Sequence, residues 1–142
     1  MAIEDYKKAL KMGRKEYQSN LSQGIYPYLQ VLEEITSNVD VESEITIGDV
    51  QVPMDKIVGT NGRSRGTAFA RNYMPLLDED TEFARKWAVL CDIHVEEGIR
   101  DPIKCYEFMN RFYVVEGNKR VSVLKYFDAV SIAAQVTRII PR

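Results

Sequence analysis

The chain is poor in the residues that build disulfide or metal frameworks. Its 142 residues contain two cysteines, Cys91 and Cys105, and a single histidine, His94. Two cysteines do not provide the multi-cysteine pattern of small secreted domains, and the first residues lack the basic and then apolar order of a secretory signal. We therefore predict a cytoplasmic protein that is stabilised by a hydrophobic core.

Long apolar runs and low-complexity segments are also absent from the sequence. The longest apolar candidate, residues 129–136, is interrupted by Ser131 and Gln135 and falls short of the roughly 18 residues that a membrane-spanning helix needs. Glycine (8 residues) and proline (5 residues) are sparse, while hydrophobic residues make up 45% of the chain. These values exclude collagen-like and wholly disordered architectures and predict a globular protein without a membrane partner.

The overall charge shows no basic excess. Nineteen Lys and Arg residues against 21 Asp and Glu residues give a formal net charge of −2, whereas proteins that bind nucleic acid through its phosphates usually have a clear basic surplus. DNA is therefore not an expected partner of this chain alone. One segment departs from the average, because residues 56–77 contain Lys and Arg side chains and no carboxylate.

The spacing of apolar residues predicts two helices in the N-terminal part. Residues 3–21 repeat apolar positions three or four apart, and residues 27–36 provide a second, shorter apolar face. We predict that residues 1–36 form a helical hairpin, a candidate surface for a protein partner. The acidic residues 37–44 would connect this hairpin to a domain that spans residues 45–142.

The rest of the chain predicts a small mixed sheet. Alternating apolar residues from Ile45 indicate a strand, with a turn or bulge at Gly48 and Asp49. Helical spacing over residues 81–97, followed by Gly98, indicates a helix. The other predicted elements are strands 103–108 and 112–115 around a Met109-Asn110 turn, a helix over 118–127 and a strand over 131–140. This order predicts an α+β fold in which helices flank the sheet.

The segment from Glu116 to Arg120 has the composition of an anion-binding turn. The predicted strand ends at Glu116, Gly117 permits a sharp turn, and Asn118 is suited to cap the next helix. Lys119 and Arg120 follow in the first helical turn, where cations oppose the helix dipole unless an anion is present. Backbone amides and two cations would then meet at one point, which favours phosphate. Pairing of both cations with surface carboxylates is an equally good interpretation of the residues alone.

A second candidate lies in the basic segment, where residues 59–67 read Gly-Thr-Asn-Gly-Arg-Ser-Arg-Gly-Thr. Arg63, Arg65 and Thr67 supply guanidinium and hydroxyl groups suited to phosphate oxygens. The segment lacks the Gly-Lys-Ser/Thr ending of a Walker A loop. A solvated loop without a ligand is the alternative interpretation.

The soft metal ligands of the chain are predicted to be packing residues. Cys91 and His94 are three residues apart on the apolar face of helix 81–97, and Cys105 is the other cysteine. A structural zinc site normally takes four Cys or His ligands. We therefore expect no zinc or other metal bound by the protein itself.

Several stretches together resemble the ParB/sulfiredoxin-like domain, once called the ParB-like nuclease domain. They are Ile57-Val58-Gly59, residues 95–103 (Val-Glu-Glu-Gly-Ile-Arg-Asp-Pro-Ile) and residues 113–120 (Tyr-Val-Val-Glu-Gly-Asn-Lys-Arg). Members of this family share a helix ending in Gly-x-x-x-Pro-Ile and a Gly-x-Arg-Arg or Gly-x-His-Arg turn that holds nucleotide phosphates. The resemblance covers residues 45–140 and implies a ParB/sulfiredoxin-like fold there.

The functional residues of the family carry over only in part. Gly117, Lys119 and Arg120 match the phosphate-binding turn, with Lys119 in place of Arg or His. Sulfiredoxins have a reactive cysteine where this chain has Asn118, so the resemblance does not imply reduction of sulfinic acids. Kinases of this fold use a carboxylate near the bound nucleotide as a base, and Glu116 is the nearest candidate here.

The resemblance implies a bacterial regulatory module that binds a nucleotide, with Mg²⁺, or another phosphorylated small molecule. Two alternatives stay open: a phosphotransferase or nucleotide hydrolase that uses Mg²⁺, and a protein-interaction module whose nucleotide site has decayed. The sequence does not decide whether the chain is an enzyme. The strand-like end at residues 139–142 also predicts that an additional C-terminal domain follows in a longer protein.

Overall fold

The computed structural model describes residues 2–142 and shows a six-stranded mixed sheet with helices on both faces. The helices are α1 (Ile3–Ser22), α2 (Leu32–Thr36), α3 (Arg63–Gly66), α4 (Glu82–Glu96) and α5 (Asn118–Tyr126), and a 3₁₀ turn covers Met54–Lys56. The strands are β1 (Gln30–Val31), β2 (Val41–Pro53), β3 (Ile57–Thr60), β4 (Ile103–Phe108), β5 (Arg111–Glu116) and β6 (Ser131–Pro141). The predicted α+β class is confirmed. No helix within residues 2–142 has the length and apolar character to cross a bilayer.

The strands are ordered β1-β3-β5-β4-β6-β2 across the sheet. The pairs β1–β3, β3–β5 and β4–β6 are parallel, whereas β4–β5 and β2–β6 are antiparallel. Met109 and Asn110 join β4 to β5 with φ angles of 52° and 64°, the left-handed values that a two-residue hairpin turn favours. The register of β2 shifts between Thr46 and Gly48, so the predicted irregularity there is a bulge.

The N-terminal part differs from the predicted helical hairpin. Helix α1 forms as predicted, but the second helix contains only Leu32–Thr36, and Gln30–Val31 form strand β1. Gln30 lies opposite Gly59 of β3, and the backbones approach so closely that a Cβ on Gly59 would overlap the Gln30 carbonyl. The prediction of a helix over residues 27–36 is wrong because tertiary pairing with β3 outweighs local helical spacing. This N-terminal segment therefore shares one sheet with the rest of the chain.

The other predicted helices and strands are confirmed, but strand β2 begins at Val41. The prediction that residues 37–44 form a connector is therefore wrong for residues 41–44, which pair with β6. The hydroxyl of Thr81 accepts a 3.1 Å hydrogen bond from the Ala84 amide and caps α4, which ends two residues before Gly98. Helix α5 and strand β6 lie within one residue of their predicted bounds. Because β5 is a central strand, the turn that follows it emerges near the middle of the sheet.

Helix α5 forms a layer between the sheet and the two longest helices. Val121 and Leu124 pack on the sheet together with Tyr73, whereas Val123 packs with Trp87 of α4 and with α1. A smaller cluster joins α2 to the opposite face of the sheet (Leu32, Phe108 and Tyr113). The core therefore fixes the N terminus of α5 relative to α4.

Candidate anion-binding site

Strand β5 and helix α5 are joined by a single residue, Gly117, which has a φ of +114°. Side-chain-bearing residues rarely adopt this backbone region, and a Cβ here would lie 2.5 Å from Cγ2 of Ile103. Both constraints require glycine. The prediction that Asn118 caps the helix is corrected, because the left-handed glycine is itself the N-cap residue and no side chain caps α5.

The N terminus of α5 presents backbone donors that have no partner within the helix. The hydrogen-bonding pattern begins with the Val121 amide, which donates to the Gly117 carbonyl at 3.0 Å. The amides of residues 118–120 precede it and therefore lack an intrahelical acceptor. With the helix dipole they place about half a positive elementary charge at this end.

A cavity of about 900 Å³ opens at this turn between α4, α5 and the segment that begins in α3. It is lined by Ser64, Arg65, Ala68, Phe69, Leu77, Glu82, Phe83, Arg85, Lys86, Val89, Leu90 and Val115–Arg120. Five of these side chains are cationic and two are carboxylates. The structure thus brings Arg65 of the basic segment to the same cavity as the predicted phosphate-binding turn.

Lys119 and Arg65 are the cavity cations most available to an anion. No carboxylate of residues 2–142 forms a salt bridge with either. In contrast, Lys86 pairs with Glu82 at 3.3 Å, and Arg85 donates to the Asp80 carbonyl oxygen at 3.2 Å. The Lys119 ammonium lies 5.2 Å from the centroid of the Phe83 ring. Partial burial, and then the charges of Arg65 and Lys86, lower the pKa of Lys119. A bound anion would relieve this mutual repulsion.

Arg120 makes a structural contact within the same site. Its Nη1 donates to the carbonyl oxygens of Asp101 at 3.0 Å and Pro102 at 2.9 Å. These bonds fasten the segment that follows α4 to the first turn of α5. Arg120 therefore positions the turn and keeps only part of its guanidinium for an anion.

Two predicted ligand-binding residues lie outside the cavity. Residues 63–66 coil into the short helix α3, which directs Ser64 and Arg65 to the cavity. Arg63 instead pairs with Glu34 of α2, and neither Arg63 nor Thr67 belongs to the cavity lining. The basic segment thus contributes one guanidinium to this site.

The candidate base Glu116 lies at the rim of the cavity. Its side chain is 63% exposed and its Oε2 is 3.5 Å from Nζ of Lys104. A general base is normally held within hydrogen-bond reach of its substrate in a sheltered position. An exposed carboxylate that is paired with a lysine is poorly suited to that role.

His94 and both cysteines occupy packing positions. The His94 ring centroid lies 5.1 Å from that of Phe127, and Cys91 and Cys105 belong to different core clusters. Burial raises the pKa of Cys91 to about 11 and that of Cys105 to about 12, so both thiols are neutral at physiological pH. Within residues 2–142 no three His, Cys, Asp or Glu side chains are grouped so as to hold a metal.

Sequence reasoning missed the contributions of α4 and of Tyr73. Phe83 and Lys86 of α4 line the cavity, and their spacing of three residues was the available sign that they share a helix face. Tyr73 lies behind the turn, where its hydroxyl is 2.8 Å from the Asn118 side-chain oxygen. No sequence pattern marks Tyr73, because it lies in a segment without helical or strand periodicity.

The comparisons with known proteins give a likeness of fold. No protein-family model matches the chain, and no curated protein matches it. Among solved structures, the chain is similar to the crystal structure of sulfiredoxin from Arabidopsis thaliana, with a TM-score of 0.42 and 19% sequence identity. The likeness covers 62% of this chain and 82% of that chain. It concerns the fold alone.

Proposed function

We propose that this chain is a regulatory module that binds a nucleotide or another phosphorylated small molecule at the N terminus of α5. The observation that carries the proposal is that one cavity is lined both by residues 118–120, the N-terminal turn of α5, and by Arg65 of the basic segment. Helix N-terminal amides and cationic side chains are the usual partners of phosphate oxygens. The resemblance of residues 116–120 to a phosphate-binding turn supports the same assignment.

The size and the walls of the cavity favour a ligand that is larger than a phosphate ion. About 900 Å³ lies within the range of sites for small organic ligands. Ala68, Phe69, Leu77 and Val89 provide an apolar surface beside the cations. A phosphorylated molecule with an organic body would use both kinds of surface.

Binding is proposed in preference to catalysis because the cavity offers no well-placed base. Glu116 is exposed and paired with Lys104, and Glu82 is paired with Lys86. The proposal includes Mg²⁺ only as an ion that a nucleotide carries into the cavity. Its charge would then be balanced by the nucleotide phosphates.

A thermal-shift panel tests this function directly. Inorganic phosphate, pyrophosphate, ADP and the four ribonucleoside triphosphates are compared, each with and without Mg²⁺. A ligand at 100 times its Kd adds about 2.7 kcal/mol to the free energy of unfolding, which raises the Tm of a domain of this size by several degrees. Lys119→Ala should reduce that rise, whereas Lys8→Ala, which removes an exposed lysine outside the cavity lining, should not. If no compound raises the Tm of the wild type at millimolar concentration, the proposed function is wrong.

A further inference from the structure

A polar network lies behind the anion-binding turn, and Asn118 is the member of it that also lines the cavity. The Tyr73 hydroxyl is 2.8 Å from both the Gly59 carbonyl oxygen and Asn118 Oδ1, and its single proton is shared between these acceptors. Asn118 Nδ2 donates to Thr60 Oγ1 at 3.2 Å, and that hydroxyl donates to the Val114 carbonyl at 3.1 Å. The network therefore connects β3, β5 and the first residue of α5.

The backbone of Tyr73 is unusual. Its φ is +71°, a value that is uncommon for a residue with a bulky side chain. Such conformations persist where the surrounding structure enforces them, and they occur preferentially near ligand-binding sites. The Tyr73 side chain is completely buried. The centroid of its ring lies 5.5 Å from the centroid of the Phe69 ring and 5.4 Å from the Lys125 ammonium. Packing therefore holds the hydroxyl at a fixed point beneath the turn.

On the premise of the proposed phosphate site, we infer that Tyr73 and Asn118 are positioning residues that hold the first turn of α5 in its binding geometry. Both polar atoms of the Asn118 side chain are occupied by Tyr73 and Thr60. Asn118 therefore offers the ligand its backbone amide, and its side chain fixes the direction of that amide. Donors that are already oriented bind an anion more tightly than donors that must be ordered by it.

The closing experiment compares two variants that each remove one hydrogen bond anchoring α5. Tyr73→Phe removes the hydroxyl behind the turn. Ser122→Ala is the matched control, because Ser122 Oγ accepts a buried 2.9 Å hydrogen bond from Trp87 Nε1 in the middle of the same helix. Both variants should lower the Tm, but only Tyr73→Phe should weaken the binding of inorganic pyrophosphate, by about tenfold in calorimetric titration.

Two conservative substitutions of Thr60 distinguish a role of its hydroxyl in positioning the turn from a role of its side chain in packing. Thr60→Ser keeps the hydroxyl that accepts from Asn118, and Thr60→Val removes it at nearly constant volume. Pyrophosphate should bind Thr60→Ser like the wild type and Thr60→Val more weakly. Equal affinities for wild type and Tyr73→Phe would overturn the positioning role, and so would an equal loss in Ser122→Ala.

A second measurement distinguishes this inference from the proposed function. If wild type does not bind pyrophosphate or any nucleotide, the proposed function fails. Hydrogen exchange of the Val121 amide, which donates to the Gly117 carbonyl at 3.0 Å, still tests the positioning role when it is measured without ligand. Faster exchange in Tyr73→Phe than in Ser122→Ala supports it, and equal rates in the two variants overturn it.

Discussion

The two ends of helix α5 are built in opposite ways. At the N-terminal end the chain enters through a left-handed glycine, and the backbone amides of residues 118–120, which line the cavity, have no intrahelical acceptor. Lys119 and Arg120 lie in this first turn, although cations there oppose the helix dipole. This end is therefore unfavourable by itself and is suited to receive an anion.

The C-terminal end of α5 is satisfied by the protein itself. Lys125 donates to the Ile57 carbonyl oxygen at 2.9 Å, and the Tyr126 hydroxyl donates to Asp5 Oδ1 at 2.8 Å. A cation in the last turn also agrees with the helix dipole. The comparison shows that one end of α5 contributes to the stability of the fold, and that this stability supports the unfavourable arrangement at the other end.

Among substitutions that test this difference between the two ends of α5, Gly117→Ala is expected to have the largest effect on stability and on ligand binding. The left-handed backbone costs about 1–3 kcal/mol for a residue with a Cβ, and the approach to Ile103 adds about 1–3 kcal/mol of overpacking. Urea unfolding should show this loss, and calorimetry should show that the variant no longer binds ATP. Tyr126→Phe is the control at the other end, with a loss of about 1 kcal/mol and unchanged affinity. A Gly117→Ala protein as stable as the wild type would show that the turn is not constrained in this way.

An intermediate effect is expected for Arg120→Ala. The variant loses two hydrogen bonds to carbonyl oxygens, which should lower the free energy of unfolding by about 1–2 kcal/mol. Its affinity for ATP should fall at least about tenfold, because both a charge and the position of the turn are lost. Urea unfolding and calorimetry at two salt concentrations measure the two effects. Loss of stability with full retention of affinity would assign Arg120 to the fold alone.

The smallest expected effect is a pH dependence of the affinity for ATP, which tests whether Lys119 contacts the bound anion. Burial and neighbouring cations lower its pKa from the ordinary 10.5, so the free protein loses this proton at a lower pH than an exposed lysine would. A bound anion favours the charged form, and affinity should therefore decrease as the pH rises. Between pH 7.5 and pH 9.0, where phosphate groups stay ionised, we expect the affinity for ATP to decrease. Lys119→Arg should remove this slope, because the guanidinium stays protonated; the same slope in both proteins would exclude Lys119 as its source.

Local signals explain how much of the fold could be predicted. Helix α4 has a regular apolar spacing, a Thr81 cap and a Gly98 stop, and the β4–β5 hairpin has a turn pair that tolerates left-handed angles. Strand β1 contains only two residues and exists because β3 accepts it in parallel. A two-residue strand leaves no periodicity in the sequence, so the apolar residues around it were assigned to a helix.

In the candidate site, too, the features with a local sequence signal could be predicted and those that depend on tertiary contacts could not. The turn at Gly117 could be predicted because its glycine, its cations and the following helix are neighbours in the sequence. The sequence could not show that Arg65 reaches the cavity and Arg63 does not, because the directions of the two side chains depend on the short helix α3. Tyr73 could not be found at all, since its hydroxyl meets residues 14 and 45 positions away.

The pairing of β2 with β6 has a consequence for the order of folding during synthesis. Val41 lies opposite Pro141, and Pro53 lies opposite Ser131. Strand β2 therefore cannot pair until β6, about 80 to 100 residues later in the chain, has been translated. Pairings with such long sequence separation slow folding, because the intervening chain must be ordered first. Strand β2 lies at the edge of the sheet and pairs only with β6, so both of its edges stay unpaired until β6 emerges from the ribosome. Glu42, Glu44 and Asp49 along it would discourage association with other nascent strands.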